Sequence, residues 1–466
     1  MNSIEVINNI ESKFPVEEIK AEGFPLWQFL RYRYYITHYF IKEAKSNSGY
    51  YLSNSTNILN LIYNSLISFI PFRKRFKYIL FTDSKELKNI DGKVSDKIAH
   101  EIISVLGDEL IVSINTSNEI SSSKNLFFKN SLNSAIFYFF SIFHKRKTKI
   151  ENEIFLKNIE KDLMISVDYQ KKTDRFFALV RVLDKYFKRN KFKIVFVNAY
   201  YSPVLQQAVI YSANKNKIKT IELQHGIINN SHIAYNIFKK IGNEALPQNL
   251  FLFGDYFKQL LSDSQFLSAD NLFVTGSFFI NYSIENNKKN KFASDFFNDA
   301  RKKYKKIVAV TSQETIENEL IEFINQVAYL DKEILYIFIP RNFEKEFPGL
   351  IGKPNIIIDK RLDFYLSASY VDFHATVYST CALESLAFGT SNILININGL
   401  SKKFLGNNLK EDKFSYYVEN TKEMLNILSI TKVTDKELVK AKGNYFFVHK
   451  REVEIDQIIK NIEDGL

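Results

Sequence analysis

Residues able to do acid, base or phosphate chemistry gather where short β-branched runs stop. Glu222-Leu223-Gln224-His225-Gly226 completes and follows the run 219–223, KTIEL. An imidazole there suits a general base or a phosphate contact, and the glycine beside it lets the backbone turn sharply and approach a ligand. The same pair also serves as an ordinary turn. Tyr378-Ser379-Thr380-Cys381-Ala382-Leu383-Glu384 follows the run 371–375, VDFHA, and leads into a helical stretch up to Phe388 and Gly389. Ser379 and Thr380 stand where an N-cap belongs, and the free amides and positive dipole end of a helix attract phosphate. Glu384, one turn further, could accept hydrogen bonds from a ribose. A plain capped helix with an exposed glutamate has the same pattern.

Arg341 follows Pro340 at the end of the run 334–339, ILYIFI, where a guanidinium could clamp a phosphate or stack on a base. It could equally be a surface residue. Asp83 ends the run 78–82, YILFT, and Asp91 and Asp96 lie in the segment after it, so one carboxylate could deprotonate an acceptor hydroxyl; solvated loop acids look the same. Ser277 and Ser312 add hydroxyls at two further strand ends. Other chemistries lack their motifs: no GxxxxGK[ST], GxGxxG after a strand, GxSxG or HExxH occurs, and the seven histidines include no HxH pair. A metal-independent reaction is the expectation.

The elements that must carry these residues alternate. Runs 78–82, 110–114 (LIVSI), 194–198 (IVFVN) and 219–223 are separated by longer helical patterns, the signature of a parallel, doubly wound sheet. The pattern pauses over 227–250, resumes at 250–253 (LFLF) and 272–275 (LFVT), and a second series follows the polar segment 285–291. Its strands are expected at 307–311, 334–339, 355–358, 371–375 and 392–395. Two Rossmann-like domains facing a central cleft are the implied α/β architecture, with strand-end residues lining the cleft. The expected division is a helical N-terminal extension over 1–75, an acceptor domain over 76–245, a donor domain over 246–440 and a C-terminal helix over 441–466 that packs back on the N-terminal domain.

At 466 residues and 45% hydrophobic, the chain can build several cores. Its one cysteine, Cys381, cannot form an intramolecular disulfide or a cysteine-based metal site, and the first residues lack the apolar core of a secretory signal, so a reducing cytoplasm is expected. A formal charge of +11 raises nucleic acid as a partner, but 52 acidic residues are interspersed and no zinc-finger or RNP-type motif appears, so nucleic acid is not expected. The only low-complexity patch is the Ser/Asn-rich stretch 117–123. Apolar stretches 58–72 and 135–143 are shorter than the ~20 residues that span a bilayer. Each precedes a basic cluster, which fits either a core helix with a solvated turn or contact with an anionic inner-membrane surface.

The succession QHG, LFGDYF, VTGS, a strand ending in IPR, and VDFHATVYSTCALESLAFGTSNILI resembles GT-B enzymes of bacterial capsule and lipopolysaccharide assembly, in particular capsular Kdo and sialic-acid-type transferases and teichoic-acid glycerophosphotransferases. The likeness extends weakly to Trp27-x-x-x-Arg31 and the segment around Asp83 and Asp91. It implies a nucleotide-activated donor, CMP- or UDP-linked, no other cofactor, and a glycan or lipid-linked acceptor. It also implies His225 in the catalytic cleft and Ser379, Thr380 and Glu384 at the donor nucleotide. Arg341 stands about where users of cytidine-activated donors carry a His-Pro pair, a departure that leaves the base open. The expected site is then His225, Asp91 and Asp83 for catalysis, with Gln224, Gly226, Ser277, Ser312, Arg341, Ser379, Thr380 and Glu384 for the donor. A UDP-sugar 2-epimerase of the same architecture and a non-catalytic scaffold are the alternatives.

Overall fold

The computed structural model describes residues 3–43, 58–115, 125–230, 232–262, 264–350, 352–449 and 454–465. The patch 117–123 lies outside them. The chain forms two compact units, one of Met1–Leu252, Lys258–Phe273 and Val453–Leu466, the other of Phe253–Phe257 and Val274–Glu452.

The first unit is built on a seven-stranded sheet in the order Leu272–Val274, Asn249–Leu252, Lys219–Leu223, Ile194–Asn198, Tyr78–Asp83, Leu110–Asn115, Ser131–Asn133. Pairing is parallel from Asn249–Leu252 across to Ser131–Asn133. Ile194, Val195, Phe196 and Val197 are all buried, as a strand covered on both faces requires. Numbered along the chain, the strands run 3-2-1-4-5-6-7, so the topology switches between Tyr78–Asp83 and Ile194–Asn198.

The described residues of 1–75 do not form a separate extension. Lys20–Ala21 and Phe24–Pro25 pair with each other, and Lys20–Ala21 also pairs with Ile150–Glu151, in a small antiparallel sheet. The rings of Phe24 and Phe29 lie 5.4 and 4.6 Å from that of Phe176, on the long helix Tyr169–Asn190. The C-terminal helix Ile455–Asp464 adds Ile455, Ile459 and Ile462, spaced on one face, to the same core as Ile194, Phe196 and Ile221. Strands Asn249–Leu252 and Leu272–Val274 extend the first sheet, whereas the sequence reading opens the second domain at 246. That reading rested on the pause in the pattern, and strand pairing overrides it.

The second unit carries six strands in the order Ile356–Ile357, Ile334–Ile339, Lys306–Thr311, Phe373–Thr376, Ser391–Ile395, Ser415–Val418, all parallel. Numbered within the unit this is 3-2-1-4-5-6, with the switch between Lys306–Thr311 and Phe373–Thr376. Helix Glu317–Leu330 covers one face with Leu320, Ile324 and Val327, which join Val308, Val310, Tyr336 and Phe338 in the core. No helix among the described residues is long and apolar enough to cross a membrane.

Candidate functional site

In the first unit the strand Ile194–Asn198 gives way to Ala199, whose φ of 55° is left-handed despite a Cβ, a conformation that costs of order 1–3 kcal/mol and turns the chain abruptly. Tyr200 and Tyr201 follow. The Tyr201 hydroxyl lies 3.2 Å from Nε2 of His225 and 3.2 Å from Nε2 of His232. Burial pushes both imidazoles down, His225 to about 3, helped by His232, Lys85 and Lys97, and His232 to about 4. Both rings are therefore neutral at pH 7. One hydroxyl proton serves one ring nitrogen, so the second ring must turn an N–H toward the phenol oxygen. One Nδ1 is thus an acceptor and the other a donor. Nδ1 of each ring is buried, and the backbone of Leu223 beside His225, and of His232 beside its own ring, pulls each pKa up against that burial.

The loop bearing His232 is fixed by groups far away in sequence. Trp27 and Arg31, one turn apart on helix Leu26–His38, both reach Glu11: Trp27 Nε1 donates to Oε1 at 2.8 Å, and the Arg31 guanidinium donates to the same oxygen. Arg31 also donates to the carbonyls of Ile233 and, at 3.1 Å, Asn236. The Tyr200 hydroxyl donates to Ala234 O. Tyr235 donates to Glu222 Oε1 at 2.8 Å, which also accepts the Tyr200 N–H at 3.2 Å. Glu222 is fully buried, and that burial pushes its carboxyl up to about 8, so it holds its proton at neutral pH.

The other first-unit candidates do structural work. Gln224 is buried, and its side-chain amide donates to Gly226 O at 2.9 Å, holding the turn after the strand. Gly226 is not left-handed, and a Cβ there would meet nothing within 4 Å, so backbone geometry does not demand glycine. Asp83 accepts from Lys85 N at 3.2 Å and Asn115 Nδ2 at 3.0 Å, capping a short helical turn and tying two strand ends. Asp91 is an exposed residue of the turn joining Leu87–Ile90 to Lys93–Asp96, with φ of 50° followed by 79° at Gly92. That is the left-handed pair a tight hairpin uses. Asp96 is fully buried and bonds Thr82 and the amides of Ile98 and Ala99.

In the second unit Ser312, Arg341, Ser379, Thr380 and Glu384 follow the carboxyl ends of three adjacent strands, two of which flank the switch point. Gln313 spans that point, its side-chain oxygen accepting from the backbone N–H groups of Tyr378, at 3.2 Å, and Ser379. Burial and the charge of Glu384 push the Cys381 thiol up to about 12, while a bond with Ser379 and the positive charge of Arg341 pull the other way. Arg341, Ser379 and Glu384 therefore lie within electrostatic reach of one thiol. Arg341 is exposed. Ser312 Oγ donates to Glu317 Oε1 at 3.0 Å, and Ser379 Oγ accepts from Cys381 N at 3.3 Å. Thr380 is exposed at the N-cap of the seven-residue helix Cys381–Ala387 and makes no side-chain cap bond. Ser277 follows the edge strand Leu272–Val274 of the first sheet and precedes helix Phe278–Asn287, so it stands off the second sheet.

Sequence reasoning missed Tyr201, His232, Tyr235 and the protonated state of Glu222. Tyr201 was within reach, because it follows a strand end by the rule that picked out His225. Nothing in the local sequence marks His232, which arrives through the Arg31 clamp.

No protein-family profile matches the chain, and no characterised protein matches it in sequence. Solved folds do match. A UDP-GlcNAc 2-epimerase from Methanocaldococcus jannaschii is 15% identical with a TM-score of 0.51, covering 84% of this chain and 100% of that one. A UDP-GlcNAc 2-epimerase from Neisseria meningitidis, bound to UDP-GlcNAc, is 12% identical with a TM-score of 0.49, covering 84% and 99%. The wall teichoic acid polymerase TagF is 11% identical with a TM-score of 0.46, covering 88% and 93%. The likeness to the first, together with two Rossmann-ordered sheets in one chain, gives this protein a fold of the GT-B type.

Proposed function

We propose that the protein is a nucleotide-sugar-dependent glycosyltransferase that needs no metal and adds a sugar to a bacterial surface glycan or its lipid-linked precursor. The observation that carries this reading is the second sheet's 3-2-1-4-5-6 order, with Ser312, Arg341, Ser379 and Thr380 at carboxyl ends at or beside its switch point. Nucleotides bind doubly wound sheets at that position, and Arg341 offers an exposed cation to a diphosphate. In the first unit His225 supplies a neutral imidazole beside the Tyr201 hydroxyl. A base held near 3 takes a proton poorly, so His225 suits hydrogen bonding to the transferring group, and it becomes a proton acceptor when an anionic ligand raises its pKa.

The test is to incubate the purified chain with UDP-, CMP-, CDP- and GDP-sugars, with and without lipid-linked glycan. Expected are binding of at least one donor by calorimetry and nucleotide release that depends on acceptor. Epimerised sugar formed without acceptor would replace transfer with the 2-epimerase reading, a reaction catalysed by the M. jannaschii protein of the same fold. Absence of both binding and turnover would remove both.

A further inference from the structure

Over positions 62–70 the helix Ile58–Arg73 is built inside out. Its buried positions include Asn64 at 6% and Ser68 at 2% exposure, while Leu66 and Ile70 are 68% and 70% exposed. The inward polar groups are engaged: Ser68 Oγ donates to Asn64 O at 2.7 Å and accepts from Asn133 N at 2.8 Å. The outward row Ile62, Tyr63, Leu66, Ile67, Phe69 and Ile70 recurs at helical spacing, so it is one continuous face. A soluble surface helix has the opposite polarity, and a contiguous exposed apolar face of this kind marks an interaction surface.

Charge tells what covers it. The Phe72 ring lies 5.4 Å from Phe140, which sets the carboxyl end of this helix beside that of Ala135–Ile142, where Phe143 is 72% exposed. Exposed Arg73 ends the first helix and exposed Lys74 and Arg75 follow it, while exposed Lys145, Lys147 and Lys149 follow the second. Neither helix contains an acidic residue. Sixteen residues span about 24 Å, short of a hydrocarbon core of about 30 Å, so the helix fits along a bilayer and not across it.

We infer that this face docks the protein on an anionic lipid bilayer, with the apolar row of Ile58–Arg73 sunk at the acyl boundary and the two basic clusters on lipid headgroups. The inference stands apart from the reaction proposed above.

Flotation of the full chain with vesicles tests it. Binding is expected to phosphatidylcholine vesicles containing phosphatidylglycerol, to weaken with salt, and to be at least tenfold lower for phosphatidylcholine alone. Arg73→Gln with Lys74→Gln and Arg75→Gln should lower affinity by roughly a hundredfold, each base near an anionic surface contributing about fivefold. Leu66→Ser with Ile70→Ser should abolish binding while keeping the wild-type melting temperature. If that variant folds and still floats fully, or if wild type stays unbound on anionic vesicles, the inference fails. It fails equally if sedimentation shows a dimer that the same double substitution makes monomeric, with no vesicle binding, since a second copy then covers the face.

Discussion

Both sheets reverse their strand order at one point, yet the two units close that point with different chemistry. In the first, Asn198 Nδ2 donates to Thr82 Oγ1 at 3.1 Å, Thr82 bonds the buried Asp96, and beyond the strand ends lie a phenol and two neutral imidazoles. In the second, Thr311 Oγ1 meets His374 Nε2 at 2.8 Å inside the sheet, and the strand ends carry hydroxyls, an exposed arginine and the Gln313 bridge. Shared topology thus fixes where ligands can bind without fixing what they are. The first unit holds titratable groups without charge, and the second presents an exposed cation and small donors.

The largest effect that would break this contrast is on the clamp. Arg31→Met leaves Glu11 buried without its ion pair and frees two loop carbonyls, so the first unit should lose about 3–5 kcal/mol. Trp27, the only tryptophan, bonds the same Glu11, and its fluorescence during urea unfolding reads out this unit. An unshifted midpoint would mean the His232 loop is held some other way.

Next in size, His225→Ala should lower turnover by roughly 100-fold, the scale of a positioned proton-transfer or hydrogen-bonding group, with donor affinity much less affected. His225→Asn sharpens the result. An Asn variant that keeps full turnover would confine His225 to shaping the turn.

A smaller effect is expected at the second unit. Ser379→Ala with Thr380→Val should weaken nucleotide binding by more than tenfold, because a hydrogen bond to a charged group is worth about 1.5–3 kcal/mol. Melting should barely change, since the Ser379 bond to Cys381 N is long and Thr380 makes no cap. Unchanged affinity by titration calorimetry removes both from the donor site.

The last contrast is pH dependence, which separates the units by sign. His225 and His232 are depressed from 6.5, so the unfolded chain binds more protons and the first unit gains stability as pH rises from about 4 to 6.5. Glu222 is raised from 4.5 to about 8, so the folded state binds the extra proton and stability falls as pH rises through that window. The first unit should therefore peak near pH 6.5 and weaken toward 8. His374, depressed to about 4, gives the second unit the rise without the fall. Glu222→Gln should flatten the decline between pH 6.5 and 8 in Trp27-monitored melts; an undiminished decline would assign it elsewhere.

Interior strands were legible because their β-branched runs are fully buried: 194–198 and 219–223 coincide with Ile194–Asn198 and Lys219–Leu223. The short edge strands Ser131–Asn133 and Ser415–Val418 escaped notice, since edge positions need no apolar run. The rule that functional residues follow strand ends picked out His225, Ser312, Arg341 and Ser379 as candidates, and each does follow a strand. It could not reveal that Asp83 is a cap and Asp91 a turn residue, because those roles depend on partners and dihedral angles.

By itself the sequence determined the alternation of strands and helices, and with it two parallel α/β units, because periodicity and burial are properties of local runs. The tertiary structure alone decided which strands join which sheet, which helix turns its polar side inward, and which side chains meet. Arg31 reaches Ile233 across 202 positions and Tyr78 reaches Glu463 across 385. Contacts of that span follow from how layers pack, and protonation follows from the burial that packing imposes, so neither leaves a mark in the residues nearby.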